Sequence, residues 1–306
     1  MLQFPSNHKS KAFFALAVVS ILWGTTWLAS KKGVGGMPAL QLAGIRQTIA
    51  GVLYILYFII KKERFPKGRQ WIPILILSFL NFMLSNALST WGVKYISSGL
   101  GSIMAAIFPL WLAIITLCKG GTIPKQAMAG LLLGFGGVCL IFYEHLSDFI
   151  NPSFRFGIML SLASTISWAF GTLYIKQQAQ HFNPYFSLGF QMLISGIVIL
   201  TSIHFTHHDI SLSAIPAVSW WSISYLIIFG SIFTFIAYIY TLQHLPTALA
   251  SIYAYINPIV AVLLGSLLLG EKMTIFIAIG GIITIAGVYL VNNSLKKRSQ
   301  AEELAV

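Results

Sequence analysis

The sequence is short of charge. Only 8% of its 306 residues are Asp, Glu, Lys or Arg, against about 25% in a soluble domain. Seven are acidic, and 57% of the chain is hydrophobic. This excludes a soluble globular protein and requires an integral membrane one. Cysteine is scarcer still. Cys118 and Cys139 lie in or beside apolar runs, so free thiols are expected rather than a disulfide framework. There is no Walker loop, no HExxH and no Ser-His-Asp grouping inside an apolar run. An intramembrane enzyme needs a nucleophile, an acid–base pair or a metal cluster at membrane depth, so neither catalysis nor a cofactor is expected. The longest polar stretches, 144–155 and 205–218, run to about a dozen residues, the length of ordinary long loops. A receptor would need more.

What is present is a set of apolar runs separated by short basic loops. The net charge of +12 does not indicate nucleic acid, because the basic residues flank apolar runs, where they set topology. The partners expected are a small-molecule substrate and the lipid bilayer, with the chain acting as a monomer. Ten runs have the length of membrane-spanning helices, roughly 20 residues each: 12–30, 39–60, 72–92, 98–117, 127–144, 156–176, 185–204, 219–241, 248–269 and 273–292. The first resembles a signal peptide, but its copy recurs mid-chain, so it is read as a retained helix.

The chain repeats itself. Trp23, Leu28 and Lys31 match Trp168, Leu173 and Lys176; Ser102 and Pro109 match Ser251 and Pro258; Gly130, Gly137 and Val138 match Gly280, Gly287 and Val288. Two units follow, residues 1–148 and 149–295, with a cytoplasmic tail at 296–306. Five spans per unit is an odd number, so the second unit must cross the membrane in the opposite sense. The expected fold is an all-α membrane protein of ten transmembrane helices in a five-plus-five inverted repeat. With the N-terminus inside, thirteen of the 19 Lys and Arg fall on the cytoplasmic side and five outside, Arg46 alone lying within a span. Both termini are therefore expected in the cytoplasm.

The same residues resemble the EamA branch of the drug/metabolite transporter superfamily. The resemblance rests on the order of the duplication, Trp23 to Thr25 in the first span, Arg46 in the second, the proline-bearing fourth and ninth spans, and the Gly270-Glu271 turn. It implies a carrier of the cytoplasmic (inner) membrane, exporting amino acids or similar small neutral or zwitterionic metabolites by alternating access. It also implies a central cavity formed by helices 1, 3, 4, 6, 8 and 9, with the fifth and tenth at the rim. Gln191 stands where the second unit would repeat Arg46, so the halves need not do the same job. The alternatives are a broad-specificity efflux protein for hydrophobic compounds and an uncoupled facilitator.

Candidate cavity residues come from polar stripes and paired aromatics. Ser78, Asn81, Ser85 and Ser89 share one face of the third span, and Ser231, Thr234, Tyr238 and Thr241 one face of the eighth. Trp23 and Trp168 sit half-way along equivalent spans, too deep for an interfacial belt, with Thr26, Trp27 and Thr172 nearby. Tyr255 shares a face with Ser251 and Pro258. Intramembrane polar residues face a bundle interior or a wet cavity, although Ser and Thr also simply join helices. Pro109 and Pro258 should kink their helices, because proline removes a donor and crowds the carbonyl four residues back. Asn257 is assigned a structural role there. Arg46 is expected to snorkel to the outer surface or to pair structurally, ahead of pairing with a substrate carboxylate, because helix 2 is peripheral in the arrangement the resemblance implies. His204, His207, His208 and Asp209 form a loop cluster without metal-site spacing. The cavity set carries no clamp of basic groups, which argues against phosphorylated substrates. All seven acids fall at span ends, in loops or in the tail.

Overall fold

In a bilayer every backbone N–H and C=O must be satisfied within the protein, which makes long apolar runs helical. The computed structural model describes residues 6–118, 120, 122, 124–144, 147–178, 183–245 and 253–304, and all regular structure among them is helical. Helices stand at all ten expected spans: α1 (Ser6–Gly33), α2 (Ala39–Ile60), α3 (Gly68–Gly92), α4 in two pieces (Ser98–Ala106 and Phe108–Cys118), α5 (Lys125–Glu144), α6 (Pro152–Gln178), α7 (Pro184–Phe205), α8 (Ala217–His244), α9 (Tyr253–Leu269) and α10 (Ile275–Leu304). Eight are long and apolar enough to cross a membrane, and the two shorter apolar segments are Lys125–Ile141 and Tyr253–Leu269. Bulky apolar side chains such as Phe14, Ile60 and Leu267 lie more than 70% exposed. Acyl chains suit such a surface, and water does not. The last helix runs on through Leu304, so the expected tail at 296 begins inside a continuing helix.

Helix pairing is governed by glycine. In lipid, helices associate where small residues let backbones approach, and α5·α10 and α2·α7 are built this way. A Cβ on Gly130 would come 2.7 Å from the Gly287 carbonyl, and one on Gly280 would come 2.8 Å from the Gly137 carbonyl. Likewise a Cβ on Gly51 would meet the Gly189 carbonyl at 2.8 Å, and one on Gly196 the Gly44 carbonyl at 2.9 Å. The contacts are crosswise. Gly130 and Gly137 match Gly280 and Gly287 in sequence, yet each touches the other's partner. Residue i meeting j while the copy of j meets the copy of i is the signature of a two-fold interface. The remaining contacts echo this: α1 packs on α8 and α9, and α6 on α3 and α4.

Two helices are locally widened. Ser78–Ala87 in α3 and Leu226–Phe233 in α8 are π-helical, a form that recurs at functional sites. Neighbouring side chains bond carbonyls of the widened turns. Ser167 donates to the Leu80 carbonyl at 2.7 Å, Ser164 to that of Ser85 at 2.8 Å, and Gln47 to that of Phe82 at 3.2 Å. In α8, the Tyr54 hydroxyl donates to the carbonyls of Ser231 and Ile232 at 3.2 and 3.1 Å.

The two prolines act differently. At Pro109, α4 breaks at Ile107, where the Leu110 amide reaches the Ile107 carbonyl at 2.9 Å in a tight turn. Pro258 instead sits inside the continuous α9, so the expected kink appears as a helix break only in the first half. Ser251, the start of that stretch, lies outside the described residues.

Candidate functional site

A cavity of about 150 Å³ lies at the centre of the bundle. Its walls come from α1 (Trp23, Thr26, Trp27, Ser30), α3 (Asn81, Ser85, Asn86, Ser89, Thr90), α4 (Ser102, Ala105, Ala106, Phe108) and α6 (Ser164, Thr165, Trp168). Phe235 of α8, with Tyr253, Ala254 and Asn257 of α9, completes one side, and Arg46 of α2 reaches in from another. Helix 2 thus joins the six helices that the family resemblance implied. Ala105 and Ala254, each four residues before a proline that cannot donate back to its carbonyl, both line the cavity. Freed backbone polarity is tolerated in a membrane where it faces a cavity or protein.

One side of the cavity is aromatic. Trp23 stands at its centre, with ring centroids 5.2 Å from Phe235, 5.0 Å from Tyr238, 5.1 Å from Tyr253 and 6.3 Å from Trp168. Most of these pairs meet edge to face, each worth about 0.5–1.5 kcal/mol beyond its buried area. The other side is polar. Ser164 links α6 to α3 through Ser85, Ser195 donates to Gln47 Oε1 at 2.5 Å, and Gln47 donates to Asn86 Oδ1 at 3.1 Å. Gly171 makes room for the Asn81 amide, which occupies the position a Cβ would need.

Of the expected residues, Trp23, Thr26, Asn81, Ser85, Ser89 and Trp168 line the cavity, and so does Asn257, which was assigned a structural role. Tyr238 stands behind the wall, against Trp23. Thr172 is turned along its own helix, donating to the Trp168 carbonyl at 2.8 Å. Thr234 is fully buried and bonds the Phe229 carbonyl of the π turn. The eighth helix therefore contributes Phe235 rather than its polar stripe, because the π turns rotate that stripe into helix contacts. Tyr255 faces α10: its hydroxyl accepts from Asn292 at 2.9 Å and donates to the Val288 carbonyl at 3.4 Å. Its place toward the cavity is taken by Tyr253, one turn before Asn257. That spacing of four was the signal available in the sequence. The Asn257 amide, with its nitrogen turned to Ser20 and Tyr253, donates to their carbonyls at 2.6 and 3.1 Å, clamping α9 to α1.

Arg46 overturns the snorkelling expectation. It is 4% exposed, and its Nε donates to Ser231 Oγ at 2.8 Å. An arginine at the centre of a membrane helix costs about 2.5–3.5 kcal/mol on insertion scales. Here the helix faces inward, so the side chain spans the bundle instead of climbing to the surface.

At the expected outer end, polar contacts tie loops to helix ends. Lys31 donates to the carbonyls of Val93, Lys94 and Ile96 at 2.9, 3.3 and 2.7 Å. Gly270 adopts φ +64°, a left-handed conformation that glycine takes without strain, and turns the chain so that Glu271 caps α4. His204 Nδ1 lies 3.0 Å from Asp209 Oδ2, and the hydrogen bond from His204 holds the Asp209 carboxyl below its usual range. Among the described residues no group of three or more His, Cys, Asp or Glu is placed to hold a metal. An open, largely apolar groove of about 690 Å³ runs beside α2 and α7.

The EamA-like transporter family matches residues 10–143 and 155–293, one copy in each half. The chain belongs to that family. This EamA-like transporter is 30% identical to the "uncharacterized inner membrane transporter YedA" of Escherichia coli (strain K12) over 86% of this chain and 84% of that protein. It is 26% identical to the "uncharacterized transporter YvbV" of Bacillus subtilis (strain 168), over 98% and 97%. One protein of known crystal structure aligns with a TM-score of 0.67 at 17% identity, over 95% of this chain and 99% of its own; the likeness shows the fold alone. The chain is thus a multi-pass membrane transporter of this family.

Proposed function

We propose that this transporter carries small neutral or zwitterionic metabolites, amino acids foremost, out across the cytoplasmic membrane through the central cavity. The observation that carries the reading is the cavity's lining: hydroxyls and amides opposite an aromatic wall, drawn from helices of both halves. Alternating access is the mechanism we infer. The crosswise glycine contacts and the π segments at matching places in α3 and α8 support an inverted repeat, and the excess of Lys and Arg on one side supports termini in the cytoplasm. Rocking one half against the other would then expose the cavity to each side in turn, as in other inverted-repeat carriers. The cavity is small beside the roughly 300–1,000 Å³ of drug-sized pockets, which favours metabolites over bulky drugs.

The test is a screen in liposomes containing only this protein. Efflux and counterflow of amino acids, compared with neutral hydrophobic drugs, should show a saturable flux for amino acids. A flux confined to the drugs, or none for any amino acid, would overturn the reading.

A further inference from the structure

The most unusual side chain in the bundle is the buried cation of α2. Among the described residues, Arg46 is the one charged group lining the cavity, and no Asp or Glu lines it. No described carboxylate pairs with its guanidinium. Its Nε bond to Ser231 fixes the guanidinium plane, and Gly230 holds the far end: a Cβ there would come 3.1 Å from Arg46 Nη2 and 3.0 Å from Thr26 Cγ2. Arginine presents a planar fork of five N–H donors that matches a carboxylate in two parallel bonds. A cation kept inside a membrane bundle ordinarily marks a substrate or ion path and has a partner. Here the fold supplies a neutral hydroxyl for one donor and, among the described residues, no counter-ion for the charge.

We propose that Arg46 is the anion-binding residue of the cavity, holding the single carboxylate of a substrate whose uncharged body lies against Trp23 and Trp168. The inference deepens the reading of this cavity as an amino-acid path and rests on it for the carrier role, not for the binding. It also sets a specificity. A second carboxylate finds no second cation, and a cationic side chain finds no acid. The substrate class is therefore monocarboxylates with apolar or hydroxyl-bearing remainders, neutral amino acids included and acidic or basic ones disfavoured. An α-ammonium is accommodated by hydroxyls, carbonyls and the faces of the aromatic wall, where cations are attracted to ring quadrupoles.

The experiment is a binding titration of purified full-length protein by thermal shift and intrinsic fluorescence. The probes are phenylalanine, leucine and 3-phenylpropionate, each matched with its primary amide. Wild type should bind each carboxylate at least tenfold more tightly than its amide. Arg46→Gln should lose that preference by weakening the carboxylate alone, so that unchanged amide binding reports an intact fold. Gly230→Ala, which keeps the charge but crowds the guanidinium, should weaken carboxylates in the same direction. Equal binding of acid and amide by wild type, no carboxylate binding at millimolar concentration, or a preference that survives Arg46→Gln would each overturn the assignment. Carboxylates that bind through Arg46 while no amino acid crosses in liposomes would sink the carrier reading and leave this one standing. Amino acids that cross as readily as their amides would do the reverse.

Discussion

The carboxylate of Glu271 joins the N-cap Ser97, whose hydroxyl accepts from the Leu100 amide at 3.1 Å, in capping the fourth helix, although Glu271 and that helix lie in opposite halves of the chain. Oε1 accepts from the Ser98 amide at 2.8 Å, and Oε2 accepts from the Ser98 hydroxyl at 2.8 Å and the Gly99 amide at 3.3 Å. A helix N-terminus carries unsatisfied donors and partial positive charge, so an acidic side chain suits it. Hydrogen bonds to charged groups are worth about 1.5–3 kcal/mol. Glu271→Ala should therefore cost about 2–4 kcal/mol, read as a fall of several degrees in the thermal midpoint in detergent. Glu271→Gln should cost less than the alanine change. An unchanged midpoint in both variants would show that the cap is dispensable.

With Glu271 engaged at a helix end, no described acid stands in the cavity to take up and release a proton. His244 lies outside the cavity too, its ring stacked on Tyr240 with centroids 4.0 Å apart. A neutral or zwitterionic substrate should follow its own gradient in liposomes at equal pH and zero potential. Membrane potential acts on net charge alone, at about 2.3 kcal/mol per charge per 100 mV. Uphill movement of a neutral substrate driven by an imposed pH gradient, and lost in Glu271→Gln or His244→Ala, would contradict this.

The glycine contacts make a sharp stability test. On α5, a Cβ at Gly137 would lie 2.5 Å from the Thr284 amide nitrogen, whereas one at Gly136, next along the chain, meets nothing within 4 Å. Overpacking costs about 1–3 kcal/mol, and here the obstacle is backbone, which cannot rotate aside. Gly137→Val should lower the thermal midpoint and the yield of folded protein. Gly136→Val should be close to neutral. Equal effects would mean that helix propensity, not helix contact, decides both.

Much of the fold was legible because a membrane restricts the options. Apolar length located all ten helices, although the last runs twelve residues beyond its expected end at 292, and the match of Gly130 and Gly137 with Gly280 and Gly287 was read as a repeat before the structure showed it to be the α5·α10 contact. The site was harder to read. The polar stripes were drawn at α-helical spacing, and beyond the π turns of α8 that stripe no longer faces inward. Asn81, Ser85 and Ser89 line the cavity, but Thr234 and Tyr238 do not. Tyr255 and Tyr253 are two residues apart on one helix, and only the packing of α9 against α1 and α10 decides which looks inward. Arg46 was read from its distance along the helix to the surface, when its direction around the helix was what mattered.

The central claim is that solute passes through the cavity along the wall that holds Trp23 and Trp168, past Ser85 and Ser164, and side-specific labelling tests it most directly. Single cysteines at Ser85 and Ser164, in a background without Cys118 and Cys139, are exposed to a membrane-impermeant thiol reagent from each side in turn. The account predicts modification of both, slowed by neutral amino acids and not by their amides. Cysteines that stay unmodified from both sides, with and without substrate, would make the cavity a sealed packing defect and contradict it.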